Sequence, residues 1–194
     1  MAIVVVGGHS KNVGKTSVVA GLIAAMPEMR WTAIKVSVSG HGICSGENCD
    51  CVNAAHTVAV TEEKVASTET DSGRFLAAGA ARSFWVRTRA EDLAEAMPWI
   101  RRELEQAENA VIESNSVLEF LQPDIYLSVI DPAVEDFKDS AQRFLECADA
   151  VLMPEDATLA SQMELAKGTA VLPMRPPVYV TRETVEFVRK RLKF

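Results

Sequence analysis

GGHSKNVGKTS, residues 7–17, is the stretch on which the reading of this 194-residue chain turns. It follows AIVVVGG at 2–8, an apolar run that reads as a buried strand, and leads into KTSVVAGLIAA at 15–25, which reads as a helix. A strand, a glycine-rich loop and a helix in succession leave the first-turn amides of the helix without intrahelical partners. Those amides, with the positive end of the macrodipole, make a place for an anion. Within the closing GKTS, Gly14 admits close backbone approach to phosphates, Lys15 supplies charge to β and γ phosphates, and the Thr16 hydroxyl is a Mg²⁺ ligand. The upstream glycines sit one residue early. Gly8 gives a GxxxxxGKT count, and His9 stands where the ordinary pattern has its first glycine. Gly8, Asn12, Val13, Gly14, Lys15, Thr16 and Ser17 are the candidate nucleotide-binding set, and Lys15 is a catalytic candidate through neutralisation of phosphate charge. His9 either fills space in the lengthened loop or faces the γ phosphate, and the first reading is preferred.

Outward from this stretch, short apolar runs alternate with helical segments. Strands are expected at 31–37, 82–88, 109–114, 125–131, 150–154 and 177–181, and a strand or hairpin arm at TVAVTEE, 57–63. In AEDLAEAMPWIRRELEQAE, 90–108, Leu93, Met97, Ile100 and Leu104 share one helical face. Strands apolar throughout, alternating with helices, mean a mostly parallel sheet covered on both faces, with ligands at the carboxyl ends of the strands. The expected fold is therefore a three-layer α/β P-loop NTPase fold, in one domain spanning 1–194.

Composition narrows the function. With 20 Lys plus Arg against 27 Asp plus Glu, the net charge is −7, which disfavours a nucleic-acid partner. The amino-terminal apolar run is short and lacks a basic leader, so neither a signal peptide nor a membrane partner is expected, and a cytoplasmic location is. Cysteines 44, 49, 51 and 147 are then expected as reduced thiols. Cys147, in the helical stretch SAQRFLECADAV, reads as a small core residue.

Residues 38–57, VSGHGICSGENCDCVNAAHT, break the alternation and leave the same rim as the glycine-rich loop. Cys44, Cys49 and Cys51, with His41 or His56 as a fourth ligand, would suit Zn²⁺. Three thiolates would equally suit an iron–sulfur cluster, and thiols without metal are the alternative. Two acids end apolar strands. Glu113, after NAVI, is the first candidate for Mg²⁺ or the catalytic water, and Asp131, after YLSVI, the second; each could instead cap the following segment.

The GHSKNVGKT spacing resembles the loop of dethiobiotin synthetases, members of the SIMIBI group of P-loop proteins, in which a lysine commonly follows the second strand; AIKVSVSG puts Lys35 there. TDSGRFLAAGA, 70–80, resembles the DS(x)R(x)xxAGA segment of MobB, the molybdopterin-guanine dinucleotide biosynthesis protein B family of dimeric GTP-binding proteins, and AVIES parallels that family's strand ending in Glu-Gly. His9, Ser114 in place of that glycine, and the cysteine-rich segment depart from the pattern, and no NKxD is present to read guanine. The resemblance implies Mg²⁺ with GTP or ATP, weak NTPase activity, a protein partner in molybdenum cofactor maturation and a homodimer, for which SFWVRT is a candidate face. It also raises Asp71 and Arg74 above a plain helix start capped by Thr70 or Asp71. A dethiobiotin synthetase-like ligase or small-molecule kinase, with acceptor groups around Lys35 and Ser37, is one alternative. A nucleotide-switched metal carrier or sensor built on the cysteine segment is another.

Overall fold

The structure, a computed structural model, describes residues 1–38, 57–157 and 165–193; His41, Cys44, Cys49, Cys51 and His56 lie outside them. The strands are β1 (Ile3–Gly8), β2 (Trp31–Val38), β3 (Val58–Glu62), β4 (Arg82–Thr88), β5 (Asn109–Glu113), β6 (Ile125–Val129), β7 (Ala150–Pro154) and β8 (Ala170–Met174). The α-helices are α1 (Lys15–Ala25), α2 (Asp71–Ala77), α3 (Leu93–Gln106), α4 (Asp139–Leu145) and α5 (Arg182–Leu192). All eight strands form one sheet in the order β3-β4-β2-β5-β1-β6-β7-β8. Every pairing is parallel except β3 with β4.

The centre of the sheet follows from the apolar runs. β1 is buried at every position and lies between β5 and β6, as a strand without a polar face must. Its side chains alternate: Val4 and Val6 join the core beneath α1, α2 and α5, while Ile3 and Val5 join the core beneath α3. The stripe expected on α3 is the buried one, with Leu93, Met97, Ile100 and Leu104 all inside. α4 closes the same face as α3 through Leu145 against Val151. The carboxyl ends of β1, β2 and β5 therefore emerge together.

Two expectations are corrected. Residues 177–181 form no strand, because Pro176 and Pro177 lack amide donors and Arg175 and Val178 bond to each other across a tight turn. The edge strand is instead β8, from AVLPM. Cys147 is exposed: α4 ends at Leu145, and Ala148 takes the inward position. β4, which holds SFWVRT, pairs with β2 on one side and β3 on the other, so its backbone edges are filled within the chain, while Trp85 and Arg87 stay half-buried.

Asn109 starts β5 and ties the sheet to the turn before β2. Its Oδ1 accepts from the Ala2 amide at 2.9 Å and its Nδ2 donates to the Met29 carbonyl at 2.7 Å. Asn109→Ala strands both buried groups and is expected to cost roughly 2–4 kcal/mol in urea unfolding. Glu105→Ala on the exposed side of α3 should stay within about 0.5 kcal/mol of the unaltered protein.

Candidate functional site

At the carboxyl ends of β1, β2 and β5 a cleft of about 810 Å³ opens, and the first turn of α1 forms its floor. Gly14, the residue before α1, is left-handed with φ 101°, and an added Cβ would run into the Tyr179 ring. Only glycine fits both demands. Upstream, an added Cβ on Gly7 would occupy the place of the Asn115 amide, which pairs with the Gly8 backbone twice. Gly8 N donates to Asn115 Oδ1 at 2.8 Å, and Asn115 Nδ2 donates back to the Gly8 carbonyl at 2.9 Å. The Gly8 amide is thus taken and holds the loop's shape instead of facing the cleft. Val13 likewise turns its side chain into the core. Asn12, Gly14, Lys15, Thr16 and Ser17 do line the cleft.

His9 points away. Its ring is fully buried, with Nε2 3.1 Å from the Val134 carbonyl oxygen and its centroid 5.2 Å from that of Phe137. The extra residue of the loop is therefore absorbed by packing. Lys15 folds its ammonium back onto the Ser10 carbonyl.

Lys35 and Glu113 are register partners on adjacent parallel strands, so their side chains leave the sheet side by side, with Lys35 Nζ 3.0 Å from Glu113 Oε1. The other carboxylate oxygen of Glu113 accepts from the Thr16 hydroxyl at 2.8 Å. On its far side Lys35 also donates to Asp71, which sits in the first turn of α2 behind the Thr70 cap. Thr70 accepts from the Gly73 amide at 3.0 Å, the capping role its position suggested. Arg74 reaches from α2 to Ser17 at 3.1 Å. Asp131 is not among these residues; it caps its own turn through the Ala133 amide at 3.0 Å.

The cleft is lined by five basic side chains, Lys11, Lys15, Lys35, Arg74 and Lys138, against two acids, Asp71 and Glu113, in a chain of net charge −7. Burial and then repulsion from Lys138 push Lys15 down to about 8, with Glu113 pulling the other way. Burial alone would lower Lys35, but Glu113 and Asp71 hold it above its ordinary value. Such a focus of positive charge in a partly enclosed site attracts a polyanion. The hydroxyl of Thr16 and the carboxylate of Glu113 are hard oxygen donors within hydrogen-bond reach of each other, and that pair fits Mg²⁺.

Asn115, Lys138 and Tyr179 were not reached from the sequence. Asn115 stands in a plain polar turn, ESNS; Lys138 lies in a segment without periodicity; Tyr179 was assigned to a strand. A short polar cluster right after a buried strand that ends in an acid is the one signal by which Asn115 could have been found.

No protein-family model matches this chain, and no curated protein matches it. Solved structures do. The structure of LpxK from Aquifex aeolicus in complex with ATP is similar at a TM-score of 0.50 and 13% identity, over 88% of this chain and 53% of that one. The chain thus spans about half the length of LpxK. HypB from Helicobacter pylori, in complex with nickel, is similar at a TM-score of 0.50 and 14% identity, over 98% of this chain and 85% of that one. The shared architecture is the three-layer P-loop NTPase fold. No helix among the described residues is long and apolar enough to cross a membrane.

An anion held by Lys15 requires its charged form. Below about pH 8 the ammonium is already protonated; above it, binding must draw a proton from solvent. Affinity of the cleft for a polyphosphate anion should therefore fall as pH rises past about 8, with proton uptake on binding at pH 8.5. Calorimetry in two buffers of different ionisation heat checks this; zero uptake at pH 8.5 contradicts it.

Proposed function

We propose that this chain is a Mg²⁺-dependent nucleoside-triphosphate-binding protein with slow NTPase activity, similar to MobB and assisting a cofactor-maturation partner. The observation that carries the reading is the linkage of Thr16, Glu113, Lys35 and Asp71 beside Lys15, in a positive cleft at the amino end of α1. Lys15 would leave the Ser10 carbonyl for the β and γ phosphates, and the α1 amides would cradle the same oxygens. Thr16 and Glu113 would hold Mg²⁺, which when bound neutralises phosphate charge. Lys35, kept charged by its two carboxylates, would hold Glu113 in place, and Arg74 would steady the first turn of α1 through Ser17. Support for the MobB likeness comes from TDSGRFLAAGA, which brings Asp71 and Arg74 to the cleft. The homodimer rests on that likeness.

The test is phosphate release from ATP and GTP. Slow turnover is expected, dependent on Mg²⁺ and lost with EDTA. Glu113→Gln should lower it about a hundredfold, and Lys15→Ala should abolish nucleotide binding while leaving the melting temperature near that of the unaltered protein. Hydrolysis that persists in EDTA, or unchanged affinity in Lys15→Ala, contradicts the reading.

A second reading draws on the cleft's reach past Lys35 along Ser37, Val38 and Ala90. An acceptor there would make the chain an ATP-dependent ligase or small-molecule kinase, and the ATP complex of LpxK is in keeping with it. Turnover that rises only with an added acceptor and yields a stoichiometric product would favour it over the first reading. The nickel complex of HypB lends support to metal carriage on the sequence's Cys44, Cys49 and Cys51. About one equivalent of transition metal in anaerobically purified protein, with thiols protected from alkylation, is the expected result; less than about a tenth of an equivalent contradicts it.

A further inference from the structure

The residue that lengthens the glycine-rich loop does not line the cleft; its contacts run to the end of β6 and to the segment between β6 and α4. The His9 amide donates to the Val129 carbonyl at 3.1 Å, extending the β1–β6 ladder. Its ring faces the Val134 carbonyl and Phe137, and its own carbonyl accepts from the Lys138 amide at 2.9 Å. Ser10 adds a hydrogen bond to Asp136 at 2.8 Å. The loop and residues 134–138 are thereby tied at successive points. At the end of that segment Lys138, the residue preceding α4, turns into the cleft with Lys15 and Thr16.

Lys35 in the same cleft is neutralised by two carboxylates, whereas Lys138 forms no ion pair with any described residue. After burial and Lys11, the charges that act on its ammonium are Asp136, which holds Ser10, and then Glu113 and Lys35, which line the cleft with Thr16. Lys138 in turn is the strongest charge acting on Lys15. Two ammoniums held near each other in a partly buried cleft repel, and an anionic oxygen shared by both removes the repulsion.

We infer that Lys138 is a second phosphate-binding lysine, presented to the γ-phosphate end of the cleft by the segment that His9 and Ser10 fasten to the glycine-rich loop. The inference rests on the nucleotide reading above and adds to it a residue and a preference, for triphosphate over diphosphate. The extra residue in the loop acquires a purpose as well. It carries no ligand contact of its own but fixes the position of one.

The experiment compares Mg²⁺-ATP with Mg²⁺-ADP, and Mg²⁺-GTP with Mg²⁺-GDP, by calorimetry on the full chain and on Lys138→Met and Lys138→Arg. Lys138 meets the fold through its backbone and stem, so melting curves of both variants should match the unaltered protein. Lys138→Met is expected to weaken triphosphate binding by about tenfold or more and diphosphate binding by less than about threefold, with Lys138→Arg recovering most of the loss. Equal weakening of both nucleotides, or none, overturns the inference while leaving the nucleotide reading intact. An unaltered protein that binds neither nucleotide overturns both.

Discussion

The pairing of Lys35 with Glu113 is the contact on which the cleft depends. Parallel registration of β2 with β5 brings two opposite charges out of the sheet at one level, with side chains only 17% and 6% exposed. Neither charge is tolerable there alone, since a buried carboxylate or ammonium without its partner costs about 3–5 kcal/mol. Together they anchor two further elements. Glu113 holds Thr16 and with it the first turn of α1, and Lys35 holds Asp71 and with it the start of α2. Two helices and two strands are thus set around one small volume by charges that would be unfavourable anywhere else in the core.

The same constraint decides what the site attracts. Glu113 and Asp71 both pair with Lys35, and Arg74 also lies 3.9 Å from Asp71, so Lys11, Lys15 and Lys138 are the cleft cations left without a carboxylate partner among the described residues. In an acidic protein the cleft gathers positive charge, and the first turn of α1, with its free amides, lines it. A ligand that brings negative charge and a hard cation together satisfies every group at once: the amides and lysines take the anion, and the Thr16 and Glu113 oxygens take the cation.

Much of this was legible in the sequence because it is set locally. A strand apolar at every position, a loop closing in GKTS and a helix after it leave few alternatives for β1 and α1, and the four-residue stripe of α3 identifies its inner face. Lys35, Glu113, Asp71 and Arg74 were found by position, at strand ends and a helix start, or by resemblance. What stayed hidden depends on distant contacts. PVYVT has the composition of a strand, but Pro176, Pro177 and the tight Arg175–Val178 turn leave it out of the sheet, and the Tyr179 ring lies against Gly14 instead. Asn115 matters because the backbone of Gly8 lies beside it, more than a hundred residues away in sequence. Cys147 lies two residues past the end of α4 and faces out while Ala148 turns in, a matter of where α4 stops.

In the function proposed above, the loop at 7–17 and the acid at Glu113 together hold a Mg²⁺-nucleoside triphosphate. Phosphorus NMR of ATP and of GTP, with Mg²⁺ present and the protein added in steps, tests it most directly. The account predicts that the β and γ resonances of at least one nucleotide shift and broaden on binding, and that chelating Mg²⁺ reverses most of the change. Spectra of both nucleotides that stay unaltered at protein concentrations in the hundreds of micromolar range would contradict it, because cradled phosphates have affinities tighter than that.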